Sequence, residues 1–222
     1  MKDIRIFSYV VRSDYGLAPN PFWDILTINV CKPKIRQTAN LGDWVIGTGA
    51  KNVPKKYGGT TNYYAGKLVF AMRITNIMSM ESYDDYCNKQ LIEKIPNPNT
   101  NDWRKKVGDC IYNYKIKIGS KPGLRKGMHS EIFKKNDLSG KNTLLSEEFY
   151  YFGNKVIEFP KEFSNIAKQG RGHKIITNHN QILEFINWIR ENFQANKLYG
   201  QPQLKFLLEK ENKRSLPNNC FD

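Results

Sequence analysis

Long apolar runs are missing from this sequence: none approaches the roughly 18 residues that a membrane span requires. The N-terminus has no small-residue cleavage site of a secretory signal and enters strand-like IRIFSYVV at once, so a soluble, cytoplasmic protein with no membrane partner is expected. Cysteine is scarce. The four present (Cys31, Cys87, Cys110, Cys220) show no CxxC and no neighbouring histidine, which argues against a structural zinc site and for reduced thiols. There is no Walker A loop, and no sequence feature asks for a cofactor or a metal. Acidic side chains are few: 21 Asp and Glu against 35 Lys and Arg, a net charge of +14 over 222 residues. What is abundant is aromatic, with 12 Tyr, 12 Phe and 4 Trp, enough for a real core and against wholesale disorder.

The excess charge is clustered. Residues 31–60 hold six Lys/Arg and one acid, and residues 102–126 hold eight and two, so 11 of the 14 excess charges lie in two short segments. Such clustering points to a polyanionic partner, nucleic acid or a phosphate-bearing ligand, with DNA first. A lysine-rich composition spread for solubility alone is the plainer alternative.

The segment from Asp14 to Gly49 organises the chain. It opens on the turn Ala18-Pro19-Asn20-Pro21, where two prolines restrict the backbone. Phe22 to Val30 then reads as one buried strand. Cys31-Lys32-Pro33-Lys34-Ile35-Arg36 delivers a thiol and three cations to its end, and Gly42-Asp43-Trp44 turns into another strand. Elsewhere, strands are predicted over 4–11 and 68–77, after Gly108-Asp109, and over 144–160 with a break at Gly153. Helices are predicted over 80–95 and 180–193, the second capped by Asn178 or Asn180. Residues 49–64 and 117–143 read as long basic loops, the first carrying Tyr57, Tyr63 and Tyr64 among its lysines. The second contains Gly127-Met128-His129-Ser130. Gln169-Gly170-Arg171-Gly172-His173 is a tight turn that offers an anion both Arg and His. One α+β domain over 1–208 is expected, followed by a poorly ordered tail over 209–222. Its mixed, curved sheet of about six strands would be flanked by helices.

The combination SDYGLAPNPFWDILTINVCKPKIRQTANLGDWVIGTG, GDCIYNYK, GMHSE, LLSEEFYYFG and QGRGH resembles the nucleotide modification associated domain 2 family over nearly all of residues 5–200. That resemblance implies an α+β domain of bacteria and phages tied to nucleotide or DNA-base modification, including modification-based defence. The Gly-Asp-Trp-Val-Ile-Gly strand is also similar to one in PUA-like domains of the EVE and ASCH type. This second likeness implies a curved sheet or pseudo-barrel that holds a modified base.

Two functions from different classes fit these residues. In a binding module, Lys32, Arg36 and Arg171 hold phosphates, with Ser130 in the same polar loop set. Trp44 or Tyr151 stacks on a base, and Asn20, Asp14 or Asp43 reads its edge. In an enzyme of nucleotide modification, Cys31 is a thiolate favoured by its cationic neighbours. His129 or His173 then moves protons, and Asp14 or Asp43 orients or deprotonates. Recognition of a nucleotide or modified base is the first expectation and catalysis the second.

Overall fold

The structure is a computed structural model and describes residues 3–52 and 63–205. Its strands, in chain order, are β1 (Ile6–Val11), β2 (Leu26–Ile28), β3 (Trp44–Gly49), β4 (Leu68–Arg73), β5 (Asn76–Ser79) and β6 (Tyr112–Ile118). They continue with β7 (Lys121–Leu124), β8 (Asn142–Ser146), β9 (Glu148–Tyr151), β10 (His173–Ile176) and β11 (Lys197–Leu198). The helices are α1 (Pro33–Thr38), α2 (Met80–Gln90), α3 (Trp103–Lys106), α4 (Lys134–Ser139) and α5 (His179–Asn192).

The main sheet has six strands in the order β10-β1-β3-β4-β9-β11. β1 with β3 and β9 with β11 are parallel pairs; the other neighbours are antiparallel. The sheet is mixed, as predicted, and stays open between its edges β10 and β11 rather than closing into the expected pseudo-barrel. Alternation of side chains gives it two apolar faces. Ile6, Trp44, Ile46, Ala71 and Tyr150 pack against Ile182, Phe185, Ile186 and Ile189 of α5. Phe7, Tyr9, Val45, Phe70 and Met72 pack against Leu26, Ile28 and Leu144 of a second sheet, ordered β2-β8-β5. The far side of that sheet meets Tyr83 and Cys87 of α2. The domain is therefore layered α5, main sheet, second sheet, α2.

Several predicted boundaries move, each for a local reason. The strand over 22–30 shrinks to β2 because Trp23 and Asp24 take positive φ (66° and 59°) and fold Asn20 back onto Thr27. Residues 68–77 and 144–160 each divide between elements, since the chain leaves one sheet for the other at Ile74-Thr75 and at Glu147. The predicted loop 117–143 contains β7, a 3-10 turn (Glu131–Phe133) and α4. The helix at 80 is capped by Ser79, which accepts from the Ser82 N–H at 3.0 Å, and ends at Gln90 before a 3-10 turn at Ile92–Lys94. Asn178 caps α5, as predicted, accepting from the Gln181 N–H at 3.0 Å. Lys55, Lys56, Tyr57 and the tail with Cys220 lie outside the described residues. Among the described residues no helix is long and apolar enough to cross a membrane.

Candidate functional site at the strand-end rim

The C-terminal ends of the parallel strands β1, β3 and β9 lie along one rim of the main sheet. Pairing aligns His173, Tyr9, Gly47, Phe70 and Tyr151 in a single row across five strands. Gly47 makes the row possible: a Cβ there would sit 2.2 Å from the Phe70 ring. The Phe70 ring instead meets Tyr9 edge-on, with centroids 5.9 Å apart. Lys32 reaches over the Tyr9 ring, its Nζ 4.8 Å from the centroid, a cation–π contact. His173 at the end of the row has its pKa lowered, first by burial and then by the Lys32 charge. The Gln169–His173 turn carries positive φ at both glycines and exposes Arg171. It is fixed to the rim where Ser8 accepts from the Lys168 N–H (3.1 Å) and Thr48 donates to the Lys168 carbonyl (2.9 Å).

At the other end of the row, Tyr151 Oη donates to Asp14 Oδ2 at 2.6 Å. The Gly16 N–H donates to Asp14 Oδ1 at 3.1 Å. Burial pushes the Asp14 carboxyl up to about 6, against these hydrogen bonds, which pull it down. The same burial, with the Asp14 charge next in order, keeps the Tyr151 phenol protonated far into the alkaline range. Tyr64 joins this corner; burial first, then Tyr63 and Asp14, raise its pKa.

Cys31 and Lys32 link the row to a second cluster. Both have positive φ (58° and 42°), an uncommon state for residues with a Cβ, and one found where surrounding bonds over-determine the backbone. Here the bonds are explicit. The Cys31 N–H donates to Asp137 Oδ1 at 2.8 Å, and the Cys31 carbonyl accepts from Arg36 Nε at 2.8 Å. Arg36 also donates to the carbonyls of Asn142 (2.7 Å) and Asp137 (2.5 Å). Its guanidinium sits where Gly140 leaves room: a Cβ there would come within 2.3 Å of Cζ. Asp137 Oδ2 accepts from Tyr112 Oη at 2.9 Å and lies 2.7 Å from His129 Nε2. One carboxylate thus holds a strained Cys-Lys step, a phenol and an imidazole.

The structure brings Cys31, Lys32, Arg171 and His173 to one partly exposed rim, with His129 joined through Asp137. Asp14 and Tyr151, 1 % and 0 % exposed, are buried at the far end of the row, so Tyr151 offers no face to a base and Asp14 reads no exposed edge. The structure separates the other candidates. Arg36 is 0 % exposed, with its guanidinium committed to backbone carbonyls, so its place is in the scaffold of the site and not against a phosphate. Trp44 is buried on the opposite face, stacked on Tyr150 (15° between planes) and edge-on to Phe185; the core against α5 occupies the ring that was to stack on a base. Asp43 lies at the opposite end of β3, where it accepts from the backbone N–H and guanidinium of Arg5. Asn20 is buried and bonded to the Val107 carbonyl and Lys94, so it reads no exposed edge. Ser130 caps the turn at Glu131–Phe133. Sequence reasoning missed Tyr9, Tyr112 and Asp137. Tyr9 reads as one more core aromatic of a strand. Asp137 reads as one polar residue of a loop until α4 turns its carboxylate inward.

No curated protein and no solved structure matches the chain. The model of one family, nucleotide modification associated domain 2, matches residues 3–210. That match takes in both halves of the rim and every residue that builds it, and the chain belongs to the nucleotide modification associated domain 2 family.

Proposed function

We propose that the rim binds a nucleotide, free or within nucleic acid, in a bacterial or phage DNA- or nucleotide-modification setting that includes defence. The observation that carries this reading is the partly exposed end of the row, where Lys32 reaches over Tyr9 beside His173 and the turn that exposes Arg171 is fixed to the same strand ends. Lys32 and Arg171 supply charge for a phosphate. Titration with nucleoside monophosphates and the matching nucleosides tests the assignment. Lys32→Ala and Arg171→Ala should each weaken monophosphate binding about 10-fold or more, in line with a charged hydrogen bond. Lys89→Ala, in the outermost layer on α2, should leave it unchanged. Equal affinity for nucleoside and monophosphate in the intact protein would remove the phosphate from the rim.

A second reading, catalysis, is favoured by the Cys31-Lys32 geometry. Strain localised at a thiol, held by the carboxylate that also binds His129, is an arrangement suited to a nucleophile with a proton acceptor nearby. In this reading Cys31 is the thiolate and His129 the general acid or base. Incubation with candidate nucleotides followed by intact-mass analysis should show an adduct that Cys31→Ser lacks. Turnover retained by Cys31→Ser would return the thiol to a packing role.

A further inference from the structure

The second concentration of positive charge is built differently from the rim. β6 and β7 form a two-stranded sheet of their own, joined by the two-residue turn Gly119-Ser120. Its base is tied down: Asp84 accepts from the Tyr114 N–H at 2.8 Å and from Arg125 at 2.6 Å, and Arg125 also donates to the Tyr112 carbonyl. Beyond that base every residue from Lys115 to Lys121 is exposed. Lys115, Lys117 and Lys121 lie in this tip, and no acidic residue occurs from Cys110 to Ser130. Alternating with the lysines are Ile116 and Ile118, 59 % and 64 % exposed.

Lysines alone would be explained as guards of an exposed strand edge. Two solvated isoleucines run against that purpose, because an edge guard replaces apolar side chains with charge. A protein partner is poorly served too, since two isoleucines fall far short of the roughly 800 Å² per side of a standard interface. A polyanion that also presents apolar edges fits both features. We propose that the β6–β7 hairpin is a DNA-binding arm that enters the major groove of duplex DNA. The lysines lie along the phosphates, and Ile116 and Ile118 face base edges such as thymine methyl groups. The B-form major groove admits a two-stranded ribbon, whereas that of A-form RNA is too deep and narrow. The arm shares no residue with the rim and goes beyond its reading: the rim takes one nucleotide, the arm takes the polymer.

The test compares two variants with the intact chain by fluorescence anisotropy on labelled duplex DNA across a salt series, alongside monophosphate titration. Lys115→Ala/Lys117→Ala/Lys121→Ala should lose roughly 10- to 100-fold in duplex affinity at moderate salt, and its salt slope should fall by nearly three. Ile116→Ser/Ile118→Ser should weaken duplex binding a few-fold with the slope retained. Both should keep the thermal midpoint and the monophosphate affinity of the intact chain. Unchanged duplex affinity and slope in the triple variant would overturn the proposal. So would tighter binding of duplex RNA than of duplex DNA, or a serine variant that alters only self-association in sedimentation. If the intact protein binds no monophosphate yet the arm variants lose DNA, the rim reading fails and the arm stands.

Discussion

Two buried polar clusters bracket β2, and they differ in what they leave open. On one side Lys94, 0 % exposed, donates to the Asn20 carbonyl and Oδ1, the Ile25 carbonyl and Thr27 Oγ1, all within 3.0 Å. Asp109 beside it accepts from Thr27 and Tyr83, each at 2.7 Å. Burial pulls Lys94 down to about 8 and raises Asp109. On the other side Asp137 and Arg36 hold Cys31, which is partly exposed and strained. Both clusters perturb buried charges, yet only the second brings reactive groups to a surface lined by other candidates. A shifted pKa is therefore a weak guide to function by itself; an accessible, over-determined backbone beside it is a better one.

The sharpest way to break this comparison is to strip one partner from the closed cluster. Lys94→Met should cost ~3–5 kcal/mol in denaturant unfolding, because it strands a buried carboxylate and several acceptors. Adding Asp109→Asn should recover part of the loss. A cost within experimental error would mean that the cluster is not closed. Arg36→Lys should cost about 2 kcal/mol, since one amine cannot replace donors to three carbonyls. It should also change the rate at which iodoacetamide alkylates Cys31; an unchanged rate would separate Arg36 from the Cys31 geometry.

Asp14 tests the buried end of the row by pH. Its folded pKa of about 6 lies above the ordinary 3.8, so the folded chain binds that proton more tightly than the unfolded chain. Its stabilising contribution is full below the ordinary value, and is lost as pH rises through the folded value. Relative to intact protein, Asp14→Asn should flatten the stability profile across that window, by something on the order of 3 kcal/mol. A profile identical to that of the intact chain would place the titration elsewhere. The smallest stability effect belongs to Arg171→Ala, within about 0.5 kcal/mol as for an exposed residue. Its monophosphate affinity should nonetheless fall. That split between stability and binding is what distinguishes an open cluster from a closed one.

Much of the fold was legible because it follows from local pattern. The Asn178 cap and the apolar spacing of Ile182, Phe185, Ile186 and Ile189 mark α5. The alternation in β1 and the Gly-Asp turns before β3 and β6 mark their strands. The candidate site was legible in part: Cys31, Lys32, Arg171 and His173 stand in polar turns or strand ends, and the structure leaves all four at least partly exposed, whereas Asp14 and Tyr151 are buried. Arg36 and Trp44 were misread because residue type does not report burial. An arginine in a basic run and a tryptophan in a strand look equally suited to a ligand and to a core.

By itself the sequence determined the α+β class, the two basic concentrations, the α5 cap and the family to which the chain belongs, since each follows from composition, periodicity or motif. Only the tertiary structure decided which polar residues meet. Cross-strand register placed Tyr9 between His173 and Gly47, and α4 carried Asp137 to Cys31 across 106 residues of chain. Such contacts arise where burying both sheet faces fixes the register, and no window of neighbouring residues contains that information.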